Sequence, residues 1–335
     1  MPATIDMRAQ TFAHKSRAIH GAGHALKDAD DRFFFLHCGR QGIRLFVSQR
    51  GSELISLAYS VDADDALMFF ALSANRIDTE GLSFEHRRAD TATLNGLAQS
   101  NSADVVAVSL GVMPHIARRY LLLPHGASVG RGFGPVVVSR QAMSIADLRG
   151  KRVGIPGHTT TAWLVLRLIA EGILPVVVPI APFSRAFDAL DAGEIDAALL
   201  IHEGRLLYEE RGYHKVVELG EWWTAQTGLP LPLGVNVVRR SLGRERIETV
   251  SRVLGRAIEW ALAHRDEIIS HVVAQERGDA ALADPALIDR YLGMYANEDT
   301  RTMAPDVRRA VDTLFQRAAA ANLLEAGVPT IDWAP

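Results

Sequence analysis

The stretch GKRVGIPGHTTTAWLVLRLIAEGILPVVVP (150–179) decides the fold. It holds a short β-branched run, RVGIP (152–156), then a glycine-containing turn, then TTAWLVLRLIAEG with apolar residues at three- and four-residue spacing. A second β-branched run, PVVVP (175–179), closes it. Strand, helix and strand in that order imply parallel strands joined by a crossover helix.

The same alternation runs outward in both directions. Strands are predicted over 55–59, 82–88, 105–109, 135–139, 196–201 and 234–240, and helical periods fill DDALMFFALSAN, TATLNGLAQ and FSRAFDALDAGE between them. After Ser241 the pattern becomes helical only, and Ile247, Val250, Leu254, Ile258, Ala261 and Leu262 fall on one stripe that must be buried. The simplest burial packs this tail back on the first α/β block. The expected architecture is therefore two-lobed α/β: residues 54–148 with 241–335 in one lobe, 149–240 in the other, crossovers at 145–157 and 233–243, and a ligand cleft between.

Residues 1–53 read differently. His14, His20, His24, His37 and Cys38 gather there beside an isolated FFFL run, without a sustained period and without zinc spacing, so a flexible extension outside the core is expected.

A chain of 335 residues is long enough for two domains, and a formal net charge of -3 with scattered Lys and Arg gives no footprint for nucleic acid or an anionic membrane. Apolar stretches such as VLRLIA and PVVVPI break well before the roughly 20 residues a bilayer span needs. The N-terminal segment lacks the apolar core of a secretion signal and the single cysteine cannot pair within the chain, so the expected location is the cytoplasm.

Several residues could carry chemistry. Thr159, Thr160 and Thr161 open a helix whose free N–H groups suit a carboxylate or phosphate, although one Thr is enough for a cap. Gly154 and Gly157 lack dinucleotide spacing, and GASVGRGFGP (126–135) reads as a mobile connection. His202 stands where a strand leaves the sheet, the usual ligand side of an open parallel sheet, and is the best general-base candidate, with Glu203 placed to orient its second ring nitrogen. Asp62, Asp64 and Asp65 begin a helix, where capping explains one or two of them and a grip on sugar-like hydroxyls is the alternative. Ser109 ends a strand with the same standing as His202. Trp222 and Trp223 could wall an aromatic ligand, with lobe packing the commoner role. No His–Cys cluster has metal spacing, and no metal is expected.

The segments PGHTTTAWLVLRL, LLIHEGRLLY, VVELGEWW and TGLPLPLGVNVVRR, in this order, resemble the 1,4-dihydroxy-6-naphthoate synthases of the futalosine route to menaquinone, from about Leu54 to the C-terminus. The resemblance implies a type II periplasmic-binding-protein fold turned to catalysis. Such an enzyme splits cyclic dehypoxanthine futalosine, a small and carboxylate-bearing molecule, by carbon–carbon cleavage without metal or organic cofactor. His202 matches the family's proton acceptor; Thr160, Thr161 and Ala162 match one substrate-contacting segment, and Ala107, Val108 and Ser109 another. The chain departs at the first helix. Where the family usually shows S-P-C-P-N-D-T-F, it reads Ser60, Val61, Asp62, Ala63, Asp64, Asp65, Ala66, Leu67. A carboxylate in place of an amide at Asp64 removes two donors and favours hydroxyls or a cation there. The competing reading is a non-catalytic solute-binding module for a small carboxylate or sugar-like ligand, since the fold commonly binds without reacting.

Overall fold

In a computed structural model, residues 54–180, 182–275, 280–325 and 327–335 are described, together with strand backbone at 25–27, 33–39, 42–48 and 53. The chain divides into two units, Met1–Glu53 and Leu54–Pro335. In the first, β1 (Ala25–Lys27), β2 (Phe33–Gly39) and β3 (Gly42–Ser48) form an antiparallel sheet in that order. The side chains of its histidines and of Cys38 lie outside the described residues.

The second unit holds two sheets. One contains β4 (Glu53–Tyr59), β5 (Leu82–Arg88), β6 (Val105–Ser109), β7 (Tyr120–Leu122), β8 (Ser128–Gly130) and β14 (Leu231–Arg239), in the order β5-β4-β6-β14-β7 with β8 also on β14. The other contains β9 (Val136–Ser139), β10 (Arg152–Ile155), β11 (Leu174–Val177), β12 (Ala197–Leu200) and β13 (His214–Glu218), in the order β11-β10-β12-β9-β13. All five residues of β6 and all four of β12 are buried, as expected of central strands covered on both faces.

The sheets are mixed rather than all parallel. β4 runs parallel to β6, and β10 to both β11 and β12, whereas β9 and β14 run against their neighbours. The chain changes sheet between β8 and β9 and again between β13 and β14, not at 145–157 and 233–243. Periodicity distinguishes strand from helix but is blind to which sheet an apolar run joins. The 126–135 segment, read as mobile, contains β8 and is tied down: Arg131 grips Asp299 at 2.6 Å and Asp306 at 2.8 Å.

The C-terminal helices pack where the stripe required. Ile247, Val250, Leu254 and Ile258 of helix Arg244–Ala263 share one core with Phe69 and Leu72 of helix Ala63–Ser73 and with Ile55 and Leu57 of β4. Each such fully buried side chain contributes ~1.5–3 kcal/mol, enough to hold the tail on the first sheet. Helix Pro285–Tyr295 follows Asp284, whose carboxylate caps the Ala286 N–H, and its inner face reaches Phe70 and Leu67. Among the described residues no helix is long and apolar enough to cross a membrane.

Candidate active site

A cleft of about 730 Å³, counting the space open at its mouth, is lined by Asp62, Asp64, Asp65, Ala107, Val108, Ser109, Thr160, Thr161, Ala162 and His202, but not by Thr159 or Glu203. The residues arrive from the ends of β4, β6 and β12 and from two helix starts, because both sheets present these ends to one space. Trp222 and Trp223 are not among its walls. Trp223 is fully buried in the core and donates its indole N–H to the Pro230 carbonyl at 2.9 Å.

His202 leaves β12 with φ +51°. A non-glycine residue in this left-handed region costs ~1–2 kcal/mol, so the surrounding contacts must hold it there. Its Nδ1 lies 2.9 Å from Asp62 Oδ2, which also accepts the Ser60 hydroxyl at 2.6 Å. Asp62 occupies the N-cap position of helix Ala63–Ser73 yet makes no side-chain cap bond. The Ala63 N–H goes instead to Glu203 Oε1, at 3.1 Å. Two neighbouring acids have thus exchanged the roles expected of them, for Glu203 caps the helix and Asp62 meets the imidazole.

Burial alone would lower the His202 pKa, but the Asp62 carboxylate, with Asp64 and Glu203 behind it, raises it to about 9. Asp64 accepts Ser128 Oγ at 2.6 Å and Tyr291 OH at 3.2 Å; burial and the nearby Asp62 charge nevertheless raise its pKa. Asp65 accepts the Ser60 N–H at 2.6 Å and is pushed up to about 7 by burial and by Asp64. This end of the cleft is rich in acceptors and holds protons more tightly than exposed carboxylates do.

The opposite wall is a helix start rather than a set of carboxylates. Thr160 caps helix Thr161–Ile169, accepting the Trp163 N–H at 3.3 Å, while Thr161 Oγ1 donates to the Leu233 carbonyl and accepts the Gly111 N–H. Thr159 Oγ1 accepts from Asn95 at 3.1 Å, and Asn95 Oδ1 in turn takes the Ser109 N–H at 3.0 Å. The Thr160 and Thr161 hydroxyls, which donate to the Gly157 and Leu233 carbonyls, are therefore bracing groups rather than spare donors, while Thr159 serves Asn95 as an acceptor. What remains for a ligand is backbone: the Thr161 and Ala162 N–H groups meet no acceptor among the described residues.

Sequence reasoning missed Ser128, Asn236, Arg205, Tyr291 and Tyr295, which also line the cleft. Arg205, three residues past His202, is buried and paired with Glu218 at 2.6 Å. The two tyrosines stand one turn apart on helix Pro285–Tyr295, and that four-residue spacing was the one signal available.

Paired sheets enclosing a polar cleft define the periplasmic-binding-protein-like class. The alkanesulfonate-binding protein SsuA of Xanthomonas axonopodis pv. citri, 14% identical, superposes with a TM-score of 0.61 over 84% of this chain and 98% of its own. The sequence pattern of the menaquinone biosynthesis family matches residues 55–320, and the chain belongs to that family. It is similar to the 1,4-dihydroxy-6-naphthoate synthases of Streptomyces coelicolor, 36% identical over 82% of this chain and 96% of the relative, and of Thermus thermophilus, 34% identical over 81% and 96%. Protein AF1704 of Archaeoglobus fulgidus, 38% identical, matches with a TM-score of 0.75 over 81% of this chain and 98% of that one. The chain is an enzyme, a lyase of menaquinone biosynthesis.

Proposed function

We propose that this lyase has the activity its relatives are named for, splitting cyclic dehypoxanthine futalosine into 1,4-dihydroxy-6-naphthoate and a sugar-derived fragment, with His202 as general base. The observation that carries this reading is the placement of one strained, carboxylate-contacted imidazole in the cleft that also receives both substrate-contacting segments. The ligand carboxylate sits at the Thr161 and Ala162 N–H groups, where the helix start favours negative charge. Hydroxyls of the sugar-derived portion meet Asp64, Ser128 and Tyr291, acceptors and donors already hydrogen-bonded into a fixed array. His202 Nε2 removes the proton whose electron pair drives the carbon–carbon cleavage. The enzyme works in the cytoplasm, a reading supported by the single cysteine.

His202→Asn tests the assignment. It is expected to keep substrate affinity within about tenfold while kcat falls by about 100-fold or more. Retention of full turnover by this variant would remove His202 from the chemistry. Failure of the wild-type protein to release the naphthoate from the cyclic futalosine derivative would remove the substrate.

A further inference from the structure

We propose that Asp62 is the positioning residue of this site: its carboxylate holds the imidazole of His202 by Nδ1, fixes the proton there, and leaves Nε2 as the nitrogen offered to the ligand. The proposal rests on the reading of His202 as the base.

Three features of the geometry argue for it. Nδ1 lies at ion-pair distance, 2.9 Å, from Asp62 Oδ2, and with the two side chains 19% and 2% exposed the pair is only weakly screened by solvent. The carboxylate is fixed from a second side by Ser60, whose hydroxyl donates to the same oxygen and also accepts the Asp62 N–H at 3.1 Å. Finally, Asp62 stands at a helix N-cap and forgoes the cap bond that an aspartate there ordinarily makes, while Glu203 supplies the acceptor for Ala63. An aspartate kept only to start the helix would point at its own N–H groups.

The groups around the ring agree in sign. Asp62, Asp64 and Asp65 lie at the start of helix Ala63–Ser73, Glu203 and Arg205 on the turn that His202 begins, Tyr291 and Tyr295 on helix Pro285–Tyr295, and the Phe183 ring meets the imidazole edge-on at 6.3 Å. Arg205 is already neutralised by Glu218. The net field at the imidazole is therefore negative, and Asp62 is its nearest source. An acid orienting one ring nitrogen makes the other a stronger and better-aimed base.

The test is a titration of His202 in the full-length protein by nitrogen-15 NMR, its signal assigned by loss in His202→Asn, beside the pH profile of kcat/KM. In Asp62→Asn the His202 titration is expected to fall by about one to two pH units, with the Nδ1–H tautomer no longer enforced, and the acid limb of kcat/KM to fall with it. Glu203→Gln is expected to move the titration less than Asp62→Asn does. An unchanged His202 titration and tautomer in a folded Asp62→Asn protein would overturn the proposal, as would a larger shift in Glu203→Gln. A titration that moves while the kcat/KM limb stays supports the Asp62 contact and refutes His202 as the base, which separates the two readings. If Asp62→Asn does not fold, Asp62→Ser, which removes the charge with less bulk, gives the same readout.

Discussion

Arg205 and Glu218 close a ring around the backbone of Gly134. Glu218 Oε1 accepts both Arg205 Nη2 and the Gly134 N–H at 2.6 Å, while Arg205 Nε donates to the Gly134 carbonyl, also at 2.6 Å. Both side chains are buried, and Gly134 lies where the chain passes from one sheet to the other. The ring therefore joins that crossing to the turn carrying His202. Glu218→Leu or Arg205→Met would strand a buried charge, and each is expected to cost about 3–5 kcal/mol in urea unfolding. The double variant Arg205→Met, Glu218→Leu removes both charges and is expected to recover part of that loss. Additive losses in the cycle would show that the two groups do not act as a pair.

The pH dependence follows from the imidazole. In the folded chain His202 holds its proton to about pH 9, against an ordinary value of 6.5. A base must be unprotonated to act, so kcat/KM is expected to rise with pH along a limb near 9 rather than near 6.5. The stabilising contribution has the opposite slope. Between 6.5 and 9 the folded state binds more protons than the unfolded, so the contribution is complete below 6.5 and disappears as pH rises through 9. A limb near 6.5 would mean that Asp62 does not raise the imidazole in the free enzyme.

Much of this site was legible in the sequence because strand ends and helix starts are local signals. The run LLIHEG announces a strand that ends just before His202, and the three aspartates announce a helix start. What the sequence withheld is long-range. That Glu203 rather than Asp62 serves the Ala63 N–H depends on a contact 140 residues apart, and Tyr291 reaches Asp64 across 227 residues. Strands β7, β8 and β13 were missed for a different reason: the first two are three residues long, too short for a period of two to register, and β13 carries exposed His214 and Lys215 at its start. β9 and β14 were found but assigned to the wrong sheets, since VVVS and VNVV are equally apolar on either side of the cleft.

Asp65 exchanges stability for an acidic site. Its carboxyl, pushed up to about 7 from an ordinary 3.8, binds more protons folded than unfolded between those values, so stability is lost as pH rises from 3.8 through 7. Asp65→Asn keeps an oxygen for the Ser60 N–H and removes the buried charge. It is expected to be more stable than the native chain by about 1–3 kcal/mol near pH 8, with the gain vanishing near pH 3. Chemical denaturation at the two pH values checks this, and equal gains at both would mean that charge burial is not the cause.

Gly111 sets the position of the helix start at Thr161, where the ligand carboxylate is proposed to sit. A methyl group at its Cα would come within 2.9 Å of the Thr160 carbonyl carbon and oxygen and of the Thr161 nitrogen. All three atoms are backbone, so no side chain can swing aside, and the start of helix Thr161–Ile169 must move. That start also rests on the bond from the Gly111 N–H to Thr161 Oγ1 at 3.0 Å. Gly111→Ala is therefore expected to destabilise the fold by about 1–3 kcal/mol and to raise KM by about tenfold or more, with a smaller change in the pH limb assigned to His202, which lies on the other wall. Steady-state kinetics across pH separates the two effects. An unchanged KM in a folded Gly111→Ala protein would show that the Thr161 and Ala162 amides do not hold the substrate carboxylate.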